Sequence, residues 1–282
     1  MSAVRVLRLA EMSSAELDAL LHRSQAEIES VAAACGEIIE AVRRDGDAAL
    51  LRFTRQFDGA DLTTPGLRVA AAEFDEAQRR LSREMHGALE SAIEHIRRFH
   101  EPAVPRETRW VETSPGVWCG ERWTPIDTVC LYVPRGRGSF SSVACMLGVP
   151  SKLAAVPRVI LCTPPGADGR VDDATLVAAR LIGINEVYRV GGAQAVAAVA
   201  FSTATIPACD KILGPGNVHV SCARRMLSMK LDPGPPAGPS ESLILCDATA
   251  DAGNVAWNLM IEAEHGENSC AVLVTHAEAM VE

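Results

Sequence analysis

The sequence predicts an α/β protein with a helical N-terminal region and two domains that are each built on a parallel sheet. Residues before about position 100 carry apolar side chains at helical spacing. From about residue 127 short apolar runs alternate with helical segments, and a proline- and glycine-rich segment at 232–239 interrupts the alternation. Strands that alternate with helices are joined by right-handed crossovers, and they therefore pair in parallel.

The first 126 residues are expected to be mainly helical. Ser13-Ser14 are a candidate cap for a first helix, and Asp47 can cap a later helix that ends before Gly59. A short strand and two further helices are expected over 67–100. The stretch 101–126 is rich in proline, tryptophan and charge, and it predicts a loop and a hairpin.

The candidate strands of the parallel sheets are short apolar runs. They are Val129–Val133, Val159–Cys162, Glu186–Val190, Lys211–Leu213, Ser242–Cys246 and Ala271–Thr275. The helical segments between them are 142–156, 173–182, 193–201, 217–229 and 251–265. We therefore expect a Rossmann-like α/β domain over 127–238, with residues 239–282 returning to a first Rossmann-like domain that residues 1–126 begin.

Composition and charge narrow the class of protein. The 282 residues are 48% hydrophobic and 22% charged, which is ordinary for a globular protein. The formal net charge of −9 and the lack of a basic block argue against nucleic acid as a partner. No apolar run is long enough to span a membrane, and no signal-peptide pattern begins the chain. Nine scattered cysteines without a CxxC pair predict reduced, buried thiols and a cytoplasmic location.

Glycine-rich loops follow three of the predicted strands, at Tyr132–Gly138, Gly191–Gln194 and Gly214–Asn217. The carboxyl ends of parallel strands meet at one edge of a sheet, where glycines allow close approach and helix N-termini favour phosphate. Together the loops predict a nucleotide or dinucleotide site, although each alone is equally compatible with a tight turn. Gly136-Arg137-Gly138 begins a dinucleotide fingerprint, but Ser141 stands where its third glycine belongs.

Ser240 precedes the fifth predicted strand, in the segment Ala237–Glu241. Its hydroxyl could orient a substrate hydroxyl or amine, or it could satisfy backbone groups of its own loop. No Gly-x-Ser-x-Gly sequence surrounds it, so the pattern does not indicate a nucleophile.

Glu262 and His265 lie three residues apart near the end of the last predicted helix, which Gly266 is expected to terminate. Their side chains leave the same helix face, and a carboxylate with an imidazole can bind Zn²⁺. Two ligands are too few for a zinc site. The local alternative is a solvated helix end at which a histidine suits the helix dipole.

Taken together these motifs resemble the histidinol dehydrogenase family, zinc enzymes that oxidise L-histidinol to L-histidine with two NAD⁺. The motifs that carry the resemblance are Tyr132–Pro134, Val190–Ala195, Asp210–Asn217, Ala237–Glu241 and Glu262–Gly266. They occur in the order and with the spacing of the family. Weaker similarity extends upstream through Gly46-Asp47, Phe57-Asp58 and Phe99-His100.

The resemblance implies a function in histidine biosynthesis, a small amino alcohol as substrate and a homodimer. It makes three residues NAD contacts, namely Tyr132, Gln194 and Asn217. It makes Ser240 a substrate contact, and it makes Glu262 and His265 both zinc ligands and neighbours of the substrate. The implied reaction is a four-electron oxidation through the aldehyde.

Departures from the family pattern keep other functions open. Glu262 stands where the family usually has glutamine, and Arg135 stands within its Pro-Gly-Gly sequence. These differences allow a relative that oxidises another polar alcohol, such as a sulfonated diol. The family also continues past the position of Glu282. That stretch carries a Glu-His acid–base pair. It also carries the Asp and the His that complete the zinc site, and the His comes from the partner subunit. The resemblance therefore predicts a truncated chain that is incomplete for catalysis, or a catalytically silent nucleotide-binding module.

Overall fold

The computed structural model describes residues 5–22, 28–105, 107–135, 139–235, 241–263 and 269–281. The helices are α1 (Ser14–Leu21), α2 (Ala32–Asp45), α3 (Asp47–Phe53), α4 (Ala71–Arg80), α5 (Arg83–His100), α6 (Ser141–Leu153), α7 (Asp173–Ile182), α8 (Gly192–Phe201), α9 (Val218–Met226) and α10 (Ala252–Ala263). The strands are β1 (Arg109–Ser114), β2 (Val117–Glu121), β3 (Thr128–Tyr132), β4 (Arg158–Thr163), β5 (Val187–Arg189), β6 (Lys211–Leu213), β7 (Glu241–Cys246) and β8 (Cys270–Thr275).

The central sheet contains β3 to β6 in the order β5-β4-β3-β6, and all of its strands are parallel. Side chains alternate between the two faces of a strand. Cys130 and Tyr132 therefore face one core, together with residues of α2, α3, α8 and α9. Val129 and Leu131 face a second core, which α4 to α7 complete. The predicted α/β class with parallel strands is confirmed.

The N-terminal helices cover both faces of this sheet. Helices of residues 32–100 thus pack on strands of residues 128–213, although the sequence-based division groups 1–126 with 239–282. The division into domains stays a prediction.

Several local predictions hold and two are wrong. The short strand expected at the start of 67–100 is only an isolated bridge at Arg68. Ser13 caps α1 through a capping box, and the expected hairpin forms as β1 and β2. Asp47 does not cap α3, because Gly46 occupies the N-cap position. The Asp47 carboxylate instead accepts hydrogen bonds from the Thr205 hydroxyl at 2.6 Å and the Thr205 N–H at 3.3 Å. It therefore ties α3 to the loop after α8.

A second parallel pair, β7 and β8, packs with α10 as a βαβ unit. Large apolar side chains of this unit are exposed, including Leu245 at 76% and Trp257 at 68%. All nine cysteines are free thiols and six of them are buried, whereas Cys119 is exposed and Cys246 and Cys270 are partly buried, so the prediction of buried thiols is wrong for these three. Within the described residues, no helix is both long and apolar enough to cross a membrane.

Candidate functional site

The central sheet has a topological switch point between β3 and β6. These strands are neighbours, but α6, which follows β3, lies on one face and α9, which follows β6, lies on the other. Adjacent crossovers that leave on opposite faces open a crevice at the carboxyl ends of the strands, where parallel α/β sheets bind ligands. All three loops that the sequence singles out begin at this edge.

Tyr132 ends β3 and joins it to the loop after β5. Its hydroxyl accepts a hydrogen bond from the Gly192 N–H at 3.0 Å, and the residue is only 3% exposed. Burial raises the pKa of Tyr132 above its ordinary value, so the side chain stays neutral. Gly192 has a φ of +63°, and a Cβ there would lie 2.5 Å from Oε1 of Gln194. The predicted contacts Tyr132 and Gln194 therefore meet around Gly192, with Gln194 buried in this structure.

The loop after β6 lies against the end of β3. Gly214 has a φ of +123°, and a Cβ at this position would lie 2.0 Å from the carbonyl oxygen of Tyr132. Asn217 follows as the N-cap of α9, with its Oδ1 accepting a hydrogen bond from the Val220 N–H at 3.1 Å. A third predicted contact thus holds the start of a helix at the crevice.

Arg224 lies beneath the same crevice, and sequence reasoning assigned it no role. It projects from α9, is only 5% exposed, and donates a hydrogen bond from Nη1 to the Gly214 carbonyl at 2.6 Å. Its guanidinium carbon is 5.9 Å from the centroid of the Tyr132 ring. Burial lowers the pKa of Arg224. The available signal was its position four residues after buried Val220, on the apolar face of the helix.

Asp58 is a second residue that acquires significance only in the structure. It ends the helical turn after α3, and its Oδ2 is buried without a hydrogen-bond donor among the described residues. Burial raises its pKa to about 6, although the charge of Arg135 lowers it. The charge of Asp58 also raises the pKa of Tyr132. Arg135 donates a hydrogen bond to the Pro165 carbonyl at 2.8 Å, which connects the loops after β3 and β4.

Comparisons with known proteins agree on one family. The family model described as histidinol dehydrogenase matches residues 21–282. A histidinol dehydrogenase homolog of Cereibacter sphaeroides is 52% identical over 97% of this chain and 62% of its own length. The histidinol dehydrogenase of Synechocystis sp. is 44% identical over 99% of this chain and 64% of its own length. The chain belongs to the histidinol dehydrogenase family.

A solved structure supports this membership. The crystal structure of histidinol dehydrogenase from Elizabethkingia anophelis superimposes with a TM-score of 0.81 at 36% sequence identity. The match covers 89% of this chain and 57% of that one. The chain thus spans a little under two thirds of the length of the curated histidinol dehydrogenases compared above.

Of the remaining predicted site residues, the structure describes only Glu262. Glu262 is partly buried in the last turn of α10, whereas His265, Ser240 and the sequence Gly136-Arg137-Gly138 lie outside the described residues. Among the described residues, no group of three or more His, Cys, Asp or Glu side chains is arranged to hold a metal ion. The structure therefore shows the environment of one of the two predicted zinc ligands.

Proposed function

We propose that the protein acts as a cytoplasmic, NAD- and zinc-dependent histidinol dehydrogenase, which oxidises L-histidinol to L-histidine through the aldehyde in histidine biosynthesis. The observation that carries the proposal is the crevice between β3 and β6, held by the Tyr132–Gly192 hydrogen bond in a member of this family. A homodimer is part of the proposal, because family resemblance assigns a zinc ligand to the partner subunit.

The residues of the crevice fit a dinucleotide. Helices α8 and α9 begin at this edge, and helix N-termini favour the negative charge of a pyrophosphate. The buried guanidinium of Arg224 adds a fixed positive charge below it. Tyr132, Gln194 and Asn217 are the proposed contacts, and Gln194 would have to leave its buried position over Gly192 to reach the ligand.

Bound NAD⁺ would accept the hydride at each of the two oxidation steps. The crevice residues would hold the cofactor by hydrogen bonds and exclude water, which fixes its orientation before the reaction. Tyr132 stays protonated because of its raised pKa, so its hydroxyl can donate a hydrogen bond to the cofactor as well as accept one from Gly192. Proton transfer stays assigned to the Glu-His pair that the resemblance places beyond Glu282.

Zinc is proposed at Glu262 and His265, with Ser240 beside the substrate. A carboxylate oxygen is a suitable zinc ligand, and the position of Glu262 in the last turn of α10 is the part of this donor set that the structure describes. Glutamate places an additional negative charge where the family usually has a neutral glutamine.

A second candidate substrate is another polar alcohol, such as a sulfonated diol. Two observations favour keeping it: the glutamate at 262, and the name of the 52% identical relative, which is given only as a homolog of histidinol dehydrogenase. Arg135 adds a cation near the crevice.

The test is NADH formation by the zinc-loaded protein with L-histidinol and with the sulfonated diol in parallel, together with NADH binding measured by fluorescence. We expect NADH binding by this chain, and preferential turnover of histidinol by a longer form that also carries the Glu-His pair. Preferential turnover of the diol would transfer the assignment to the second candidate. Binding without turnover of either alcohol by that longer form would indicate a silent nucleotide-binding module, and the absence of binding would contradict the cofactor assignment itself.

A further inference from the structure

Arg224 is a buried cation without a buried anion to balance it. It is 95% removed from solvent, as its 5% exposure shows, and the ionisable groups that act on it are Cys130 and Tyr132 rather than a carboxylate of the described residues. Burying a guanidinium without a paired anion is strongly unfavourable. A site that retains such a charge needs a physical reason for it.

The hydrogen bonds of Arg224 leave part of its guanidinium unused. Nη1 donates to the Gly214 carbonyl at 2.6 Å, whereas Nε and Nη2 are buried without an acceptor among the described residues. The planar face lies within cation–π range of the Tyr132 ring, at 5.9 Å from its centroid. Most of the positive charge is therefore not balanced by the described residues, and its field can act on a ligand placed above the crevice.

The position of the guanidinium decides which ligand would benefit. Gly214 follows β6 and Tyr132 ends β3, so the charge lies between the carboxyl ends of the two strands that form the switch point. A phosphate bound between the N-termini of α8 and α9 would lie on the same side of the sheet edge. Its negative charge would offset the unfavourable burial of the guanidinium.

We propose that Arg224 is the residue that makes this crevice select a phosphate-bearing ligand: it anchors the Gly214 carbonyl and supplies a fixed positive charge below the phosphate. Only the identity of the ligand as NAD rests on the proposed function. At an effective dielectric of about 20, unit charges roughly 8 Å apart attract enough to change a binding constant by about thirtyfold. An uncharged nucleoside would gain none of this.

The experiment compares the affinities of ADP and adenosine by titration calorimetry in the wild-type protein, Arg224→Met, Arg224→Gln and Arg224→Lys. Arg225→Met is the matched control, because it removes the same charge from the next, exposed position of α9. We expect Arg224→Met and Arg224→Gln to weaken ADP binding by about tenfold or more with adenosine changed less than about twofold. Arg224→Lys should retain most of the preference for ADP, and Arg225→Met should resemble the wild type.

Thermal unfolding of each variant separates a binding effect from loss of structure, and the glutamine and lysine variants keep the test decisive if the methionine variant does not fold. Equal losses for ADP and adenosine would mean that Arg224 is only structural, and an equal loss in Arg225→Met would mean that net charge alone is responsible. Either result overturns the inference, as does a wild-type protein that does not prefer ADP. A wild-type protein that binds ADP but not NADH would contradict the NAD proposal. The comparison of ADP with adenosine would still decide the role of Arg224.

Discussion

Replacing Tyr132 with phenylalanine removes the hydroxyl that accepts the Gly192 N–H at 3.0 Å, and it leaves the buried ring in place. The N–H then loses its acceptor in a part-buried loop, which costs about 1 to 2 kcal/mol of the free energy of unfolding. Because the same bond holds the loop at the start of α8, we also expect NADH to bind about tenfold more weakly, the equivalent of about 1.4 kcal/mol. Denaturant unfolding and NADH fluorescence measure the two effects.

The only other tyrosine of the chain provides the matched control. Tyr188 is also buried, and its hydroxyl donates to Oε2 of Glu186 at 3.1 Å. Glu186 keeps its ion pair with Arg158 at 2.7 Å when that hydroxyl is lost. Tyr188→Phe should therefore cost less than about 0.5 kcal/mol and leave NADH affinity unchanged. Equal effects of the two substitutions, or no effect of Tyr132→Phe on either measurement, would refute the assigned role of the Tyr132–Gly192 bond.

Three further substitutions test other parts of the account. Gly214→Ala should destabilise the protein by about 3 kcal/mol or more, because its Cβ would lie 2.0 Å from the Tyr132 carbonyl oxygen at a φ of +123°, and denaturant unfolding measures the loss. The raised pKa of Asp58, about 6 against an ordinary 3.8, means that the folded state binds this proton more tightly, so the contribution of Asp58 to stability falls as pH rises from about 4 to above 6. Asp58→Asn should remove this decline, which amounts to about 1 kcal/mol after allowance for solvent screening, in unfolding curves measured across that range. Glu262→Gln should weaken zinc retention several-fold against a graded chelator, because a neutral amide oxygen replaces a carboxylate, and metal analysis after dialysis measures it.

Each of these expectations has a contrasting result. Gly87→Ala is the control for Gly214→Ala, since a Cβ at this position of α5 meets nothing within 4 Å and should raise stability by about 0.5 to 1 kcal/mol. An unchanged pH dependence in Asp58→Asn would show that another group causes the decline. Zinc retention that is equal in the glutamate and glutamine forms would argue against Glu262 as a ligand.

Local sequence patterns sufficed for the strands and for several helix ends. The run Lys211–Leu213 was predicted with the bounds that β6 has, and β5 is two residues shorter than the run Glu186–Val190. The segment 173–182 was predicted with the bounds that α7 has. Asp172 accepts a hydrogen bond from the Thr175 N–H at 2.8 Å, and Gly183 takes the left-handed conformation with a φ of +84°.

Contacts between distant parts of the chain escaped the sequence analysis. Asp47 is of a residue type that often caps helices, but its hydrogen-bond partner Thr205 lies 158 residues away in the sequence. Arg224 was placed on a helix, yet its burial depends on where Gly214 and Tyr132 come together in the sheet. Helical periodicity likewise shows that the N-terminal helices have apolar faces without showing which sheet those faces cover. These features follow from tertiary packing, which the spacing of residues does not encode.

A crystal structure of the protein with NAD⁺ would show whether the crevice between β3 and β6 binds a dinucleotide. We predict the pyrophosphate between the N-termini of α8 and α9, above Arg224, with Tyr132 and Asn217 in contact with the cofactor. NAD⁺ bound at the amino edge of the sheet or against the βαβ unit, with this crevice empty, would contradict the account.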